Sequence, residues 1–502
     1  MSLLQNTSWS LDVRTVLLCL AVLLVLRWFF RRPKNLPPGP WGFPVVGSIP
    51  TVALELRRGV KPHDLFMKYA VEYGPVFHLK VLNTTVVVLN DYASIKEAFQ
   101  HPLLNDRPKI VIAELLGSEG VGFSSGETWI ELRRFCLTVL RNFGVGKTSF
   151  EEKIGEEAEA LMKEMSAFNG KPFNPKPLLS NATSNVICSV IFGKRYEYSD
   201  EEFTRLLSLL TENVKLLGAG GVLIFFPALR HLPFLSWSQL ELNIQKIRNF
   251  ITTIIDNHRV AFDADNLNDF TDTFLKEIKE NEAKDKAGVK HGHLTEESFV
   301  GTVANLFGAG TETTATTLQW ALLYMAVYPK IQQRVQAEID DVVGRNRLPR
   351  IADKSQLNFT RAVIWEVQRL TIVVPLGVAH AAASDTQLRG FTIPKGALLV
   401  PNLWAVAHDS NVWPEPDQFK PERFLNDKGE AAITDELIPF SVGRRSCIGE
   451  HLAKMELVIF FSYFMHQFTF KKPDDSSPLS LKGKGGVSNI PDAFNICAVK
   501  RD

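Results

Sequence analysis

A mainly α-helical domain with small β-sheets, preceded by one N-terminal transmembrane helix, is the fold class this sequence predicts, and three observations predict it. An apolar run, Val16 to Leu26, stands near the N-terminus; segments of helical periodicity fill most of residues 92–375; β-branched alternation is confined to two short stretches, 75–90 and 385–400. The 502 residues carry 56 Lys and Arg against 55 Asp and Glu, with 45% hydrophobic and 22% charged residues, an ordinary globular composition. That excludes a disordered or collagen-like chain, and near-zero net charge argues against nucleic acid as a partner. No Gly/Ser-rich linker and no internal repeat divides the chain, so a single domain is expected over residues 49–502.

Taken in order, Val13 to Phe30 would form a helix about 27 Å long, enough to cross a bilayer if Arg14 and Arg27 snorkel to its faces. Trp28, Phe29, Phe30, Arg31, Arg32 and Lys34 follow, an aromatic belt and a positive cluster that place everything after residue 30 in the cytosol. A small-residue cleavage site is missing, which argues against a secretory signal, and the run is apolar on all faces, which argues against a mitochondrial presequence. Residues 1–32 therefore read as a membrane anchor. Residues 33–48, with Leu36-Pro37-Pro38-Gly39-Pro40, read as a stiff proline-rich hinge.

The 75–90 alternation breaks at Leu82-Asn83-Thr84 and predicts a hairpin; Arg389-Gly390 and Lys395-Gly396 punctuate the second strand region. Gly218 to Trp237 is apolar but interrupted by Pro227 and Pro233, so it cannot span a bilayer; it reads either as a second, monotopic membrane contact or as a buried loop between helices. Lys276 to Glu297 is charged and poor in apolar residues and is expected as a solvated loop. Long helices are expected from Ser298 to Tyr328 and from Glu450 to Phe468.

The chemistry concentrates near the C-terminus. The five cysteines, Cys19, Cys136, Cys188, Cys447 and Cys497, are widely spaced and include no C-x-x-C pair, so neither a disulfide scaffold nor a zinc site is spelled out. Cys447 differs from the others in context: Phe440-Ser441-Val442-Gly443-Arg444-Arg445-Ser446-Cys447-Ile448-Gly449 is a glycine-punctuated loop opening onto a helix. A helix N-terminus favours thiolate over thiol, Gly443 and Gly449 permit close backbone approach, and Arg445 offers a cation to an acid group. Such a thiolate can be a nucleophile or the lone axial ligand of a haem; the bland alternative is an inert core cysteine.

The pattern Phe440-x-x-Gly443-x-Arg445-x-Cys447-x-Gly449 resembles the haem-binding signature of the haem-thiolate monooxygenases, the cytochrome P-450 superfamily, and further motifs of that family stand in order. Ala309-Gly310-Thr311-Glu312-Thr313-Thr314 is similar to its oxygen-site helix, Glu366-x-x-Arg369 with Pro421-Glu422-Arg423-Phe424 to its scaffold lock. The resemblance runs from Pro37 to the C-terminus, and Trp129 to Lys147 looks like the microsomal group known as family 2.

The resemblance implies the cytochrome P-450 fold, with haem b ligated by Cys447 and contacted by Phe440, Gly443, Arg445, Gly449, Ala309 and Gly310. It implies that Arg107, Trp129, Arg133, His380 and Arg445 meet the haem propionates; Ala379 stands before His380 where many relatives place proline. Glu312 and Thr313 would pass protons, an acid and an alcohol side by side. Glu366, Arg369 and Arg423 would be structural. Substrate contacts would come from the 110–123 loop, Asn305, Ala309, Val373, Val374, Leu376 and Val487, an apolar set suited to a fatty acid, steroid or xenobiotic. Electrons would come from NADPH through a separate NADPH–cytochrome reductase, with cytochrome b5 as a further donor, at the endoplasmic reticulum membrane; Arg134, Arg141, Lys147 and Arg444 are candidates for the docking face. The rival readings are a haem-thiolate isomerase or dehydratase of lipid peroxides, in which the acid–alcohol pair is often missing, and a membrane-anchored haem- or sterol-binding protein without turnover.

Overall fold

The computed structural model describes residues 12–29, 35–43, 45–109, 119–145, 148–220, 237–286, 292–474, 478–484 and 486–501. Helix α1 (Val13–Phe29) has 17 residues, a length of about 25 Å. Among the described residues no helix is long and apolar enough to cross a membrane; Phe30 and the basic Arg31, Arg32 and Lys34 lie outside them. The proline segment is docked on the domain. His78 Nδ1 lies 2.7 Å from the Pro37 carbonyl and the His78 amide donates to Pro38 O at 2.8 Å, a contact that the extended backbone imposed by adjacent prolines makes possible.

The β-branched runs assemble into one mixed sheet. Strands β1 (Val76–Val81) and β2 (Thr84–Leu89) form the antiparallel hairpin, Val76 opposite Leu89. Strand β6 (Leu398–Pro401) runs parallel to β2, and β3 (His380–Ala381) lies antiparallel to β6 at the edge. Three small two-stranded sheets complete the set among the described residues: β4 (Thr386–Leu388) with β5 (Phe391–Ile393), β7 (Phe468–Lys471) with β10 (Cys497–Lys500), and β8 (Gly483–Lys484) with β9 (Ile490–Pro491). Helices α2 (Ile49–Arg57) and α3 (Pro62–Tyr73) cover the mixed sheet through Val52, Leu65 and Phe66, and α4 (Tyr92–Gln100) follows, capped by Asp91.

The remaining helices surround a central one. They are α5 (Gly126–Asn142), α6 (Thr148–Ser166), α7 (Lys176–Ile191), α8 (Glu201–Gly220), α9 (Trp237–Ala261), α10 (Phe270–Lys286), α11 (Glu296–Val327), α12 (Pro329–Val343), α13 (Asn358–Thr371), the short α14 (Leu403–Ala407) and α15 (Glu450–Gln467). Helix α11 has 32 residues and starts in a reciprocal cap between Thr295 and Ser298. It packs against α7, α9, α13 and α15, which is why its sequence is apolar on nearly every face. Its middle carries an open step, where Asn305, Gly308, Gly310 and Thr313 are partly exposed and Ala309 is exposed.

Two expectations change. The charged run Lys276–Glu297 is not a loop throughout, since α10 continues to Lys286 and α11 begins at Glu296. Lys, Glu and Ala are good helix formers, and buried Ile278 and Asn281, three residues apart, give the run an inner face. Within Gly218 to Trp237, residues 218–220 close α8 and Trp237 opens α9, while 221–236 lie outside the described residues.

The junction of α9 and α10 carries a pH-dependent tie. His258 presents Nε2 to Asp269 Oδ2 at 2.9 Å and Nδ1 to Ile254 O at 2.9 Å, so both ring nitrogens face acceptors. The Asp269 hydrogen bond raises its pKa from 6.5 to about 9 against the opposing effect of burial. Because the folded value lies above the unfolded one, this stabilisation is complete below pH 6.5 and is lost as pH rises through about 9. Stability measured in urea should fall across that window by about 1–3 kcal/mol. His258→Gln should flatten the fall, and equal slopes in the two proteins would refute the assignment.

Candidate active site

The cysteine loop closes on itself before α15 begins. Cys447 N–H donates to Phe440 O at 3.0 Å and Ser446 N–H to Gly443 O at 3.2 Å. Gly443 has φ of 81°, and a Cβ there would stand 2.3 Å from Phe99 O, so only glycine lets the loop lie against α4. From α5, Arg133 reaches over to Ser446 O at 2.8 Å. The helix-start position alone predicts a lowered thiol pKa, but in place the balance runs upward. Burial is the largest influence and raises it, Glu450 adds to the rise, and the Gly449 amide and Arg133 pull it back. Cys447 nevertheless keeps exposed surface. A sulfur both open and desolvated belongs to the wall of an interior cleft, not to the outer surface.

Beside it three guanidinium groups crowd together. Arg107 donates to Gly122 O (3.0 Å), Val378 O (3.0 Å) and Ala379 O (2.9 Å). Arg445 donates to Asn105 O (2.5 Å) and Ser124 O (2.7 Å), with its charge 4.0 Å from the centre of the Trp129 ring. All these acceptors are neutral carbonyls. Burial first, and then the neighbouring arginines, bring Arg107 down to about 9 and Arg445 to about 8; burial lowers Arg133 as well. His380, bonded through Nδ1 to Leu104 O at 2.9 Å and stacked on Phe99 at 3.7 Å, is held well below its usual value by burial, Arg107 and Arg445.

Such a patch is short of negative charge. Buried cations normally sit against anions, and here Arg445 Nη1 is buried with no hydrogen-bond partner among the described residues. A flat ligand with two carboxylates and a metal that accepts a single thiolate fits this donor set, which is the description of haem b. Cys447 would bind its iron, and Arg107, Arg133, Arg445, His380 and Trp129 would surround its acid groups.

Helix α11 supplies the second feature. Thr313 Oγ1 donates to Ala309 O at 2.9 Å, and Thr311 and Thr317 make the same backward bond at 2.8 and 2.9 Å, yet the helix stays continuous. A Cβ on Gly310 would meet Ile187 Cγ1 of α7 at 3.1 Å. That direction belongs to the α7–α11 crossing, where Thr183 Oγ1 also bonds Thr311 O at 2.9 Å, while Gly310 keeps some surface of its own open. Glu312 is buried and paired, its Oε1 2.9 Å from Lys176 Nζ at the start of α7.

The expected substrate-contact residues lie around these elements. Asn305 Oδ1 accepts the Gly122 amide at 2.9 Å and Val121 N–H reaches Thr302 Oγ1 at 3.2 Å, tying residues 121–122 to α11; residues 110–118 lie outside the described residues. Val373, Val374 and Leu376, just after α13, are partly exposed, and Val487 is 38% exposed. Glu366, Arg369 and Arg423 converge in the core. Arg369 grips Glu366 through two bonds of 2.8 and 2.9 Å, Arg423 Nε adds one of 3.0 Å, and the Lys420 amide one of 2.9 Å.

Sequence reasoning passed over Lys176, Ser446 and Asn489. Lys176 carried a faint signal, because a lysine at a helix N-terminus opposes the helix dipole and needs a partner elsewhere. The other two act mainly through their backbone atoms, which no motif displays.

Comparison with known proteins points the same way. The profile of the family described as Cytochrome P450 matches residues 37–498. Cytochrome P450 2J3 of Rattus norvegicus is 41% identical over 507 residues, spanning 99% of this chain and 98% of that protein. Cytochrome P450 2J2 of Homo sapiens is 39% identical, spanning 97% and 96%, and Cytochrome P450 2U1 of Homo sapiens 38%, spanning 97% and 93%.

Proposed function

The chain belongs to the cytochrome P450 family, and from that premise we propose that it is a haem-thiolate monooxygenase that inserts one oxygen atom from dioxygen into a lipophilic small molecule, with electrons drawn from NADPH through a separate reductase. The observation that carries the reading is the anion-deficient arginine patch beside the Cys447 loop, with its orphan Arg445 Nη1. Bound haem supplies the dioxygen activation and the oxygen transfer. The chain's own residues do the rest. Cys447 holds the group by its sulfur, while Arg107, Arg133, Arg445, His380 and Trp129 orient its carboxylates. The Thr313 hydroxyl, which donates to Ala309 O, turns outward to pass a proton, and Glu312, once the Lys176 ion pair opens and its carboxylate has taken a proton from solvent water, hands that proton on to Thr313. Asn305, Ala309, Val373, Val374, Leu376 and Val487 confine an apolar substrate. Residues 1–32 anchor the domain on the cytosolic face of the endoplasmic reticulum, the bilayer concentrates substrate, and cytochrome b5 is a second electron donor.

The test is reconstitution of the full chain with reductase in phospholipid vesicles and a panel of fatty acids, steroids and drugs. Product that requires both NADPH and dioxygen is expected. Thr313→Ala should keep NADPH consumption while product per NADPH falls about tenfold or more; fully coupled turnover would remove Thr313 from the relay. Rearrangement of a lipid hydroperoxide without NADPH would instead make the protein an isomerase, and haem binding with no turnover on any substrate would make it a carrier.

A further inference from the structure

The geometry points to Asn489 as a positioning residue that fixes product selectivity, because it clasps two lining segments, 373–376 and the turn at Val487, into one arrangement. The inference rests on the proposed oxygenase reading and adds to it a residue that touches no substrate. Asn489 is 2% exposed and lies at the foot of the β8–β9 turn, two residues after Val487. Its backbone N–H donates to Val373 O at 2.8 Å and its Nδ2 to Thr371 O at 2.5 Å, so one residue holds the carbonyls on either side of Ile372. Its own carbonyl accepts Trp320 Nε1 of α11 at 2.9 Å. Three elements thus meet at one buried residue, the end of α13 through its side chain and backbone N–H and the central helix through its carbonyl, with the β8–β9 turn carrying it.

What is clasped is strained. Ile372 has φ of 20° and ψ of 92°, on the positive side that a β-branched residue avoids. Such a conformation persists only where its surroundings over-determine it, and the two Asn489 bonds do so from both flanks. The kink ends α13 and sends Val373 and Val374 off the helix, with Gly377 N–H returning to Val374 O at 3.0 Å. Asn489 Oδ1 has no hydrogen-bond partner among the described residues, and a Cβ on Gly483 would stand 2.0 Å from it, so glycine at 483 is the space the clasp needs. Released, Ile372 would relax toward an ordinary conformation and re-aim both valines, while the Val487 turn lost its anchor to them. Apolar walls select a site of attack by position alone, so the mixture of products is the quantity that moves.

Asn489→Ala and Gly483→Ala attack the clasp from opposite sides, and Asn489→Ser is a milder form of the first. Each full-length variant is compared with the parent for its carbon monoxide spectrum, for the positional products of a saturated twelve-carbon fatty acid or another substrate the parent oxidises, and for amide hydrogen exchange. Retained haem, a product ratio shifted about threefold or more, and exchange about tenfold faster at Asn489 and Gly377 are expected for both sites. Unchanged product ratios in folded variants of both sites would overturn the selectivity role. Unchanged exchange would overturn the clasp itself. A parent protein that oxidises nothing would sink the oxygenase reading, and with it the selectivity role, while the exchange comparison still decides the clasp.

Discussion

Cys447→Ala is expected to abolish the strongly red-shifted Soret band of the reduced, carbon monoxide-bound protein and to lower turnover on the order of 100-fold or more, since even outer-shell partners of a metal site commonly cost about 10–100-fold. No other described cysteine can replace it. Cys136 and Cys188 are buried, and burial pushes both thiols up, Cys136 to about 12; Cys19 belongs to α1 and Cys497 to β10. The fold should survive, because the loop is held by backbone groups: Cys447 N–H on Phe440 O and Arg133 on Ser446 O. Cys447→His sharpens the test. An imidazole can occupy the ligand position but lacks the electron donation of a thiolate, so haem retained with a carbon monoxide band at shorter wavelength is expected. A thiolate-type band surviving in Cys447→Ala would end the assignment.

The parts legible in the sequence are those where chemistry and pattern coincide in a short window. The cysteine loop was readable because Gly443, Arg445, Cys447 and Gly449 serve one task within ten residues. The structure adds the reason for Gly443, a carbonyl of α4 at a distance no side chain tolerates. The hairpin was readable because its strands alternate and its turn interrupts them. What stayed hidden depends on long-range juxtaposition or on backbone groups. Lys176 and Glu312 are 136 positions apart and meet only because α7 crosses α11. Small residues serve both open faces and helix crossings, and that the Cβ direction of Gly310 meets Ile187 of α7 is a juxtaposition no sequence pattern displays. Helix α10 was concealed by charge, since an amphipathic helix with a narrow inner face carries few apolar residues. The anion deficit of Arg107, Arg133 and Arg445 could not be read at all, because a sequence shows cations but not whether their partners are carboxylates or carbonyls.

Arg369→Ala is expected to be the costliest change away from the cleft. Glu366 and Arg369 are both fully buried, and Arg369 is bound at once to Glu366 and, at 2.7 Å, to Ala407 O. Truncating it leaves a buried carboxylate with one remaining cation and a carbonyl with no donor. Breaking a buried pair in this way costs about 3–5 kcal/mol, a large share of the 5–15 kcal/mol typical of a folded domain. Arg369→Lys should recover little, because an ammonium cannot reproduce the two-pronged grip on Oε1 and Oε2. Arg423→Ala should cost less, since Arg423 gives Glu366 a single bond and spends its other donors on Pro414 O and Glu415 O nearer the surface. The ordering can be read even if unfolding is irreversible, as is common for a chain of this size: the rate of haem loss at a fixed temperature should rank Arg369→Ala fastest, Arg369→Lys next and Arg423→Ala slowest. Equal rates for Arg369→Ala and the parent would show that the Glu366 cluster is not what holds the chain behind the cysteine loop, and a faster loss in Arg423→Ala would move that role to the turn at Pro421–Phe424.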